Sequence, residues 1–287
     1  MASPFQQIFT DILLKKLYPE GTWLNRFGNF DAFVHANTIN LSEIGADPDV
    51  IKDNNTWPLT PEKRTDTGIA IPLATFDTKP THITNVEEME TNYSKTESAV
   101  QQHVAALRNH ICKSAAYNIA PAKHSADTPV LTTSGADRGD GNKRLTFADV
   151  LALRTAFNKA NLPMEGRVLL LSPDHEADLI LEDANRYNAM MQSGKVAGFE
   201  VYVDSRTPFY TTAGNKSAAT ATSGQQSSIA FVASETMRAM GDIKGEPEER
   251  WSDYRGWVFG AQIRFVAQAL RSKGIGAVID AKVPTGE

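Results

Sequence analysis

Between Asn85 and Pro121 one apolar stripe fixes the largest element this chain can build. Val86, Met89, Tyr93, Val100, Val104, Leu107, Ile111 and Ala115 recur at three- and four-residue steps or their sum. That spacing places side chains on one face of an α-helix. Asn85 caps the start with Glu88 as its capping-box partner, and Glu87 and Glu88 suit the positive end of the helix dipole. The helix is expected to end near Tyr117 to Ile119, before Pro121. At about 1.5 Å per residue it is roughly 45–50 Å long, a beam that spans a subunit. A coiled-coil seam is the weaker reading, because Ser98, Ala99 and Gln102 interrupt a strict heptad.

Two segments ahead of the beam have little company of their own. In residues 4–17, Phe5, Ile8, Phe9, Ile12, Leu13 and Leu17 oppose Gln6, Asp11, Lys15 and Lys16 at helical spacing, between Pro4 and the stop at Pro19-Glu20-Gly21. The apolar partner of this short helix lies elsewhere, in the same chain or in a neighbour. Residues 36–80 then hold two period-two runs, one at Ile39 and Leu41, the other at Ile69, Ile71 and Leu73. Pro72 makes the second run an edge strand or part of an isolated ribbon. Ala46 to Thr65 between them is polar and carries Trp57-Pro58. A two-stranded ribbon is marginal alone in water, so it gains by lying on another molecule. An ordinary insertion hairpin fits the same residues.

Beyond the beam, residues 122–144 read as a polar loop and the chain then turns α/β. Thr146 and Asp149 open a helix with Phe147, Val150, Leu151 and Phe157 as its stripe. Arg167 to Leu171 is a buried strand, and Ser172-Pro173 starts the next helix. Gly198 to Val203 and Ile229 to Ala233 are further strands. Thr211 to Ser228, almost without apolar bulk, is expected to be a mobile surface loop. From Trp257 to Gln268 apolar and polar residues alternate, a long strand for which helix is the rival over 261–271, and Ile275 to Asp280 is a last strand.

Chemistry finds no foothold. The formal net charge of -5 and pI near 5.7 oppose a primary nucleic-acid role, which needs clustered cations. Cys112 is alone, so no intrachain disulfide forms. Met1 to Pro4 does not open a signal peptide, and no apolar run reaches the roughly 20 residues that cross a bilayer. Neither a phosphate-binding glycine loop nor a serine-hydrolase elbow occurs. Ser172, Asp174 and His175 read as a helix start beside a surface histidine. His103 and His110 are about two turns apart, too far to share an ion. Asp137, Asp140 and Asn142 lack calcium-loop spacing. Glu87-Glu88 is explained by capping, and Glu248-Glu249 by a charged loop, Gly245 to Arg250. No catalytic, cofactor or metal site is expected.

The order of these parts resembles the major capsid proteins of tailed bacteriophages, with their Hong Kong 97-type fold. Leu145 to Pro173 looks like the helix, turn and buried strand that open that family's A-domain, and Tyr254 to Ile279 is similar to its closing strands. The resemblance implies an α+β fold with an N-arm (1–35), an extended β-hairpin E-loop (36–84), a P-domain with the long spine helix (85–144 and 251–287) and an α/β A-domain (145–250). It implies self-assembly into hexamers and pentamers of an icosahedral shell around double-stranded DNA, formed in the host cytoplasm. Phe5, Ile8, Phe9, Ile12, Trp57, Ile69, Ile71 and Leu73 are the expected contacts between subunits. A portal protein, a separate scaffolding protein and decoration or cement proteins are the implied partners, with DNA touched only non-specifically and no membrane. Lys52, Lys63, Asn54 and Asn55 lie in the E-loop, but nothing marks a reactive pair, so no crosslink is expected. An encapsulin-type compartment shell would share the fold, and a soluble α/β enzyme is the third reading.

Overall fold

A computed structural model of the protein describes residues 22–35, 37–43, 52–55, 57–58, 67–84, 95–250 and 255–283. The beam is α1, Lys95–Ile119, whose 25 residues span roughly 37 Å. The expected start at Asn85 and Glu88 lies outside the described residues. Ahead of α1 run β1 (Gly28–Asn29), β2 (Val34–His35), β3 (Thr38–Glu43), β4 (Thr67–Pro72), β5 (Ala74–Asp77) and β6 (Thr81–Thr84). After it come β7 (Val130–Thr132), α2 (Phe147–Lys159), β8 (Arg167–Leu171), α3 (Pro173–Glu182), α4 (Ala184–Gln192), β9 (Lys195–Val196) and β10 (Phe199–Val203). The chain closes with β11 (Phe209–Tyr210), β12 (Gln225–Val232), β13 (Thr236–Arg250), β14 (Gly256–Ala269) and β15 (Ile275–Ile279).

A seven-stranded sheet in the order β7-β15-β12-β8-β10-β9, with β11 on β12, forms a lobe. Strand β8, Arg-Val-Leu-Leu-Leu, is buried throughout and serves two cores at once. Its Val168 and Leu170 join the core that holds Val104, Leu107 and Ile111 of α1. Leu169 and Leu171 point the other way and meet Val150, Leu153 and Phe157 of α2. Period two makes this division unavoidable for a strand covered on both faces. The helix starts are as the sequence specifies. Thr146 accepts from the Asp149 N–H while Asp149 accepts from the Thr146 N–H, and Ser172 accepts from the His175 N–H ahead of Pro173.

The second sheet has the order β1-β13-β14-β5, with β6 also on β14. Phe259, Ala261, Ile263, Phe265 and Ala267 of β14 lie in the core with α1. The alternation from 257 to 268 is therefore a strand, and the helical rival falls. The reading of Gly245 to Arg250 as a charged loop is corrected, because these residues are the far half of β13, paired from Gly245↔Ala261 to Arg250↔Gly256. Backbone ladder bonds make this strand, so its polar sequence gives no apolar signal. The mobile loop expected over Thr211 to Ser228 is corrected too. Its last four residues belong to β12, where Ser227 and Ser228 are fully buried. Within it the Lys216 Nζ donates to the carbonyls of Tyr117 (2.9 Å) and Ala120 (2.7 Å), closing the C-terminal end of α1. Nor do the sheets divide at residue 250: β13 lies with β14, while β15 and β7 belong to the lobe.

Candidate assembly surface

The third sheet, β2-β3-β4, is the predicted ribbon with one more strand. Strands β3 and β4 pair from Thr38↔Pro72 to Glu43↔Thr67, and Pro72 ends the edge strand, where its missing N–H costs nothing. Ile39 and Ile71 face each other in this register and are buried with Leu73 against Met237 and Ala239 of β13 and Val266 of β14. Gly241 lets the hairpin base approach closely, since a Cβ there would meet the Leu73 side chain at 3.0 Å. Ile71 and Leu73 are therefore buried within their own chain. Their apolar surface is already used at home, and Ile69 packs partly on the same cluster. Trp57, in contrast, is 76% exposed. Phe5, Ile8, Phe9 and Ile12 lie outside the described residues.

A histidine ties the strands beyond this hairpin to the beam. His103 of α1 brings Nδ1 within 2.6 Å of the Thr78 hydroxyl and Nε2 within 2.9 Å of the Thr81 hydroxyl, with its ring edge-on to Phe259. Thr78 in turn exchanges backbone and side-chain hydrogen bonds with Ala261 of β14. Burial holds the imidazole below its ordinary 6.5, so the folded protein keeps it neutral. The unfolded chain takes up that proton first as pH falls. The stability from this site is thus complete above about pH 6.5 and declines as pH drops through that value, by at most about 1.4 kcal/mol per pH unit. Comparing thermal melts at pH 7.5 and 5.5, we expect His103→Gln to lose less stability on acidification than the wild type. An equal loss in both would remove His103 as the cause.

The residues leading out of the N-terminal segment are held by the lobe. Trp23 donates its indole N–H to Asp204 at 2.9 Å, and Phe27 stacks on Phe231 at 4.9 Å. Burial pushes the Asp204 carboxyl up, but hydrogen bonds from Arg206 and Trp23 outweigh it and leave the pKa below 3.8. Arg26 bonds Glu200 and Tyr202 on the neighbouring strand β10.

His175, expected at the surface, is fully buried. Its Nε2 lies 3.0 Å from Asp280 and its Nδ1 2.6 Å from the Ser228 hydroxyl, which also accepts the Ser172 N–H. Asp280 as acceptor assigns the proton to Nε2, so Nδ1 accepts from Ser228. Arg138 completes the group, bonded to Asp280 and 3.3 Å from Asp178. The order serine, histidine, aspartate imitates a hydrolase triad, yet Ser228 is sealed from solvent and meets no substrate. Sequence reading missed it because the partners lie 53 and 105 residues from His175. The group joins β12, α3, the 134–144 loop and the end of β15. Among the described residues no cluster of His, Cys, Asp or Glu could hold a metal ion, and no helix is long and apolar enough to cross a membrane.

A family model described as phage capsid protein matches residues 72–278, most of the chain. The chain belongs to the phage capsid protein family. The family's proteins build shells, so this is a structural and non-enzymatic capsid protein. No match was found among curated proteins. Solved structures share the fold over nearly the whole chain. The capsid of the cyanophage P-SCSP1u is 17% identical with a TM-score of 0.67, over 91% of this chain and 89% of that one. A chain of Mycobacterium phage Che8 is 15% identical with a TM-score of 0.65, over 90% of each. A virus-like particle from Pyrococcus furiosus is 11% identical with a TM-score of 0.60, over 96% of this chain and 100% of that one. The α+β fold is thus that of the capsid proteins.

Proposed function

We propose that the chain is the major coat subunit of a tailed phage, forming hexamers and pentamers that close an icosahedral shell around double-stranded DNA. The observation that carries this reading is the hairpin. Its base is seated on its own chain through Ile39, Ile71 and Leu73, while Trp57 beyond it is left uncovered. An exposed tryptophan is the kind of aromatic anchor that dominates protein interfaces. Residues 1–35 act as N-arm and 36–84 as E-loop, α1 is the spine, β13 and β14 form the P-domain sheet, and the seven-stranded lobe is the A-domain. Phe5, Ile8, Phe9 and Ile12 pack under an adjacent subunit. Each contact can be modest because every subunit is held by several at once.

A portal protein, a separate scaffolding protein and decoration or cement proteins complete the particle, which assembles in the host cytoplasm. With a net charge of -5 the subunit touches the genome only non-specifically. The likeness to the Pyrococcus furiosus particle keeps an encapsulin-type shell as the second reading. Portal and terminase genes beside the gene support the phage reading, and a cargo enzyme there supports the compartment. Sedimentation of the purified protein tests assembly itself: particles of many subunits support it, and a species of 31.4 kDa at every concentration refutes it.

A further inference from the structure

A cleft of about 720 Å³ lies between the C-terminal half of α1 and residues 205–222. Phe76, Tyr117 and Phe209 give it aromatic walls, Lys113 gives it positive charge, and no carboxylate lines it. Arg206 also lines it, with its charge answered by two hydrogen bonds to Asp204. One lining group is chemically incomplete. Thr207 is only 3% exposed, and its hydroxyl has no hydrogen-bond partner. A buried hydroxyl left so is unfavourable, and a ligand bringing a donor or acceptor would satisfy it. The cleft therefore calls for an occupant with a flat apolar body, one polar hydrogen-bonding atom and negative charge beside it.

The chain itself carries such a group. Trp57 is 76% exposed, its ring is flat and apolar, and its Nε1–H is a donor without acceptor capacity. From Glu43 to Asp66 the flanking sequence has six carboxylates (Glu43, Asp47, Asp49, Asp53, Glu62, Asp66) against Lys52, Lys63 and Arg64, so 3 − 6 gives a local charge of -3. We propose that the cleft receives Trp57 of a second copy of this chain, with the indole between the aromatic walls, its N–H on the Thr207 hydroxyl and the acidic flanks beside Lys113. The inference rests on the self-assembly reading and names the surface it uses.

Two singly substituted full-length chains test it. One carries Asn55→Cys, two residues from Trp57, and the other carries Ala219→Cys in the cleft; the native Cys112 is buried. Shells assembled from the mixture and treated with a short bis-thiol-reactive linker should give a covalent dimer. The dimer should be absent from shells of either variant alone, and lost when Trp57→Ala is added to the Asn55→Cys chain. Mixed shells that are intact by microscopy but yield no dimer, or a dimer indifferent to Trp57→Ala, overturn the cleft assignment and leave assembly standing. If even the unsubstituted protein forms no shells, the assembly reading fails first and the cleft assignment with it.

Discussion

Closed shells are expected to vanish when residues 46–65 are deleted, while the subunit keeps its fold. The deletion joins Gly45 to Asp66, and Ile44-Gly45-Asp66 then closes β3 on β4, since Glu43 and Thr67 already face each other. Three-residue connections containing glycine are common in hairpins, so the ribbon can form. Its base is untouched, because Ile39, Ile71 and Leu73 remain in place on β13 and β14. What disappears is Trp57 with the acidic loop around it. Circular dichroism should show an unchanged spectrum and melting within a few degrees of wild type, and microscopy should show no closed particles. Normal particles from the shortened chain would mean that the hairpin end is dispensable.

The second large effect concerns the buried group in the lobe. Asp280→Ala removes the acceptor shared by Arg138 and His175, leaving two donors without it in a site that is 4% exposed or less at Asp280 and His175. Breaking a buried charge pair from one side costs about 3–5 kcal/mol. Asp178 stays within 3.3 Å of Arg138 and softens the loss, so the lower end applies. For a chain of this size about 3 kcal/mol corresponds to a melting point lowered by roughly 5–10 °C, read on disassembled subunits. Asp174→Ala is the contrast, because that carboxylate is 59% exposed and 3.7 Å from Arg138. It should shift stability by less than about 0.5 kcal/mol. Equal melting of Asp280→Ala and wild type would show that the group is not a structural tie.

The elements that could be read from the sequence are those whose apolar pattern is local. The alternation in β14, the five-residue apolar run of β8 and the cap pairs at Thr146 and Ser172 each state their structure within a few neighbouring residues. The far half of β13 could not be read this way, since a polar strand depends on its ladder partner, and that partner is a separate strand further along the chain. His175 is the sharper case. Its burial depends on Ser228 and Asp280, which only the folded sheet brings to it. The same limit explains the contact residues. Apolar alternation placed Ile71 and Leu73 on one face of a strand, but not whether that face looks at its own chain or at another. Trp57 stands out in the sequence as the lone aromatic residue of a polar stretch.

Negative-stain microscopy of the purified full-length protein across a concentration series tests the central claim most directly. Uniform polyhedral particles with sixfold and fivefold clusters of subunits are the result expected of a chain that completes its buried surface with sister copies. A field of single 31.4 kDa subunits at all concentrations, with Trp57 covered by its own chain, would contradict it.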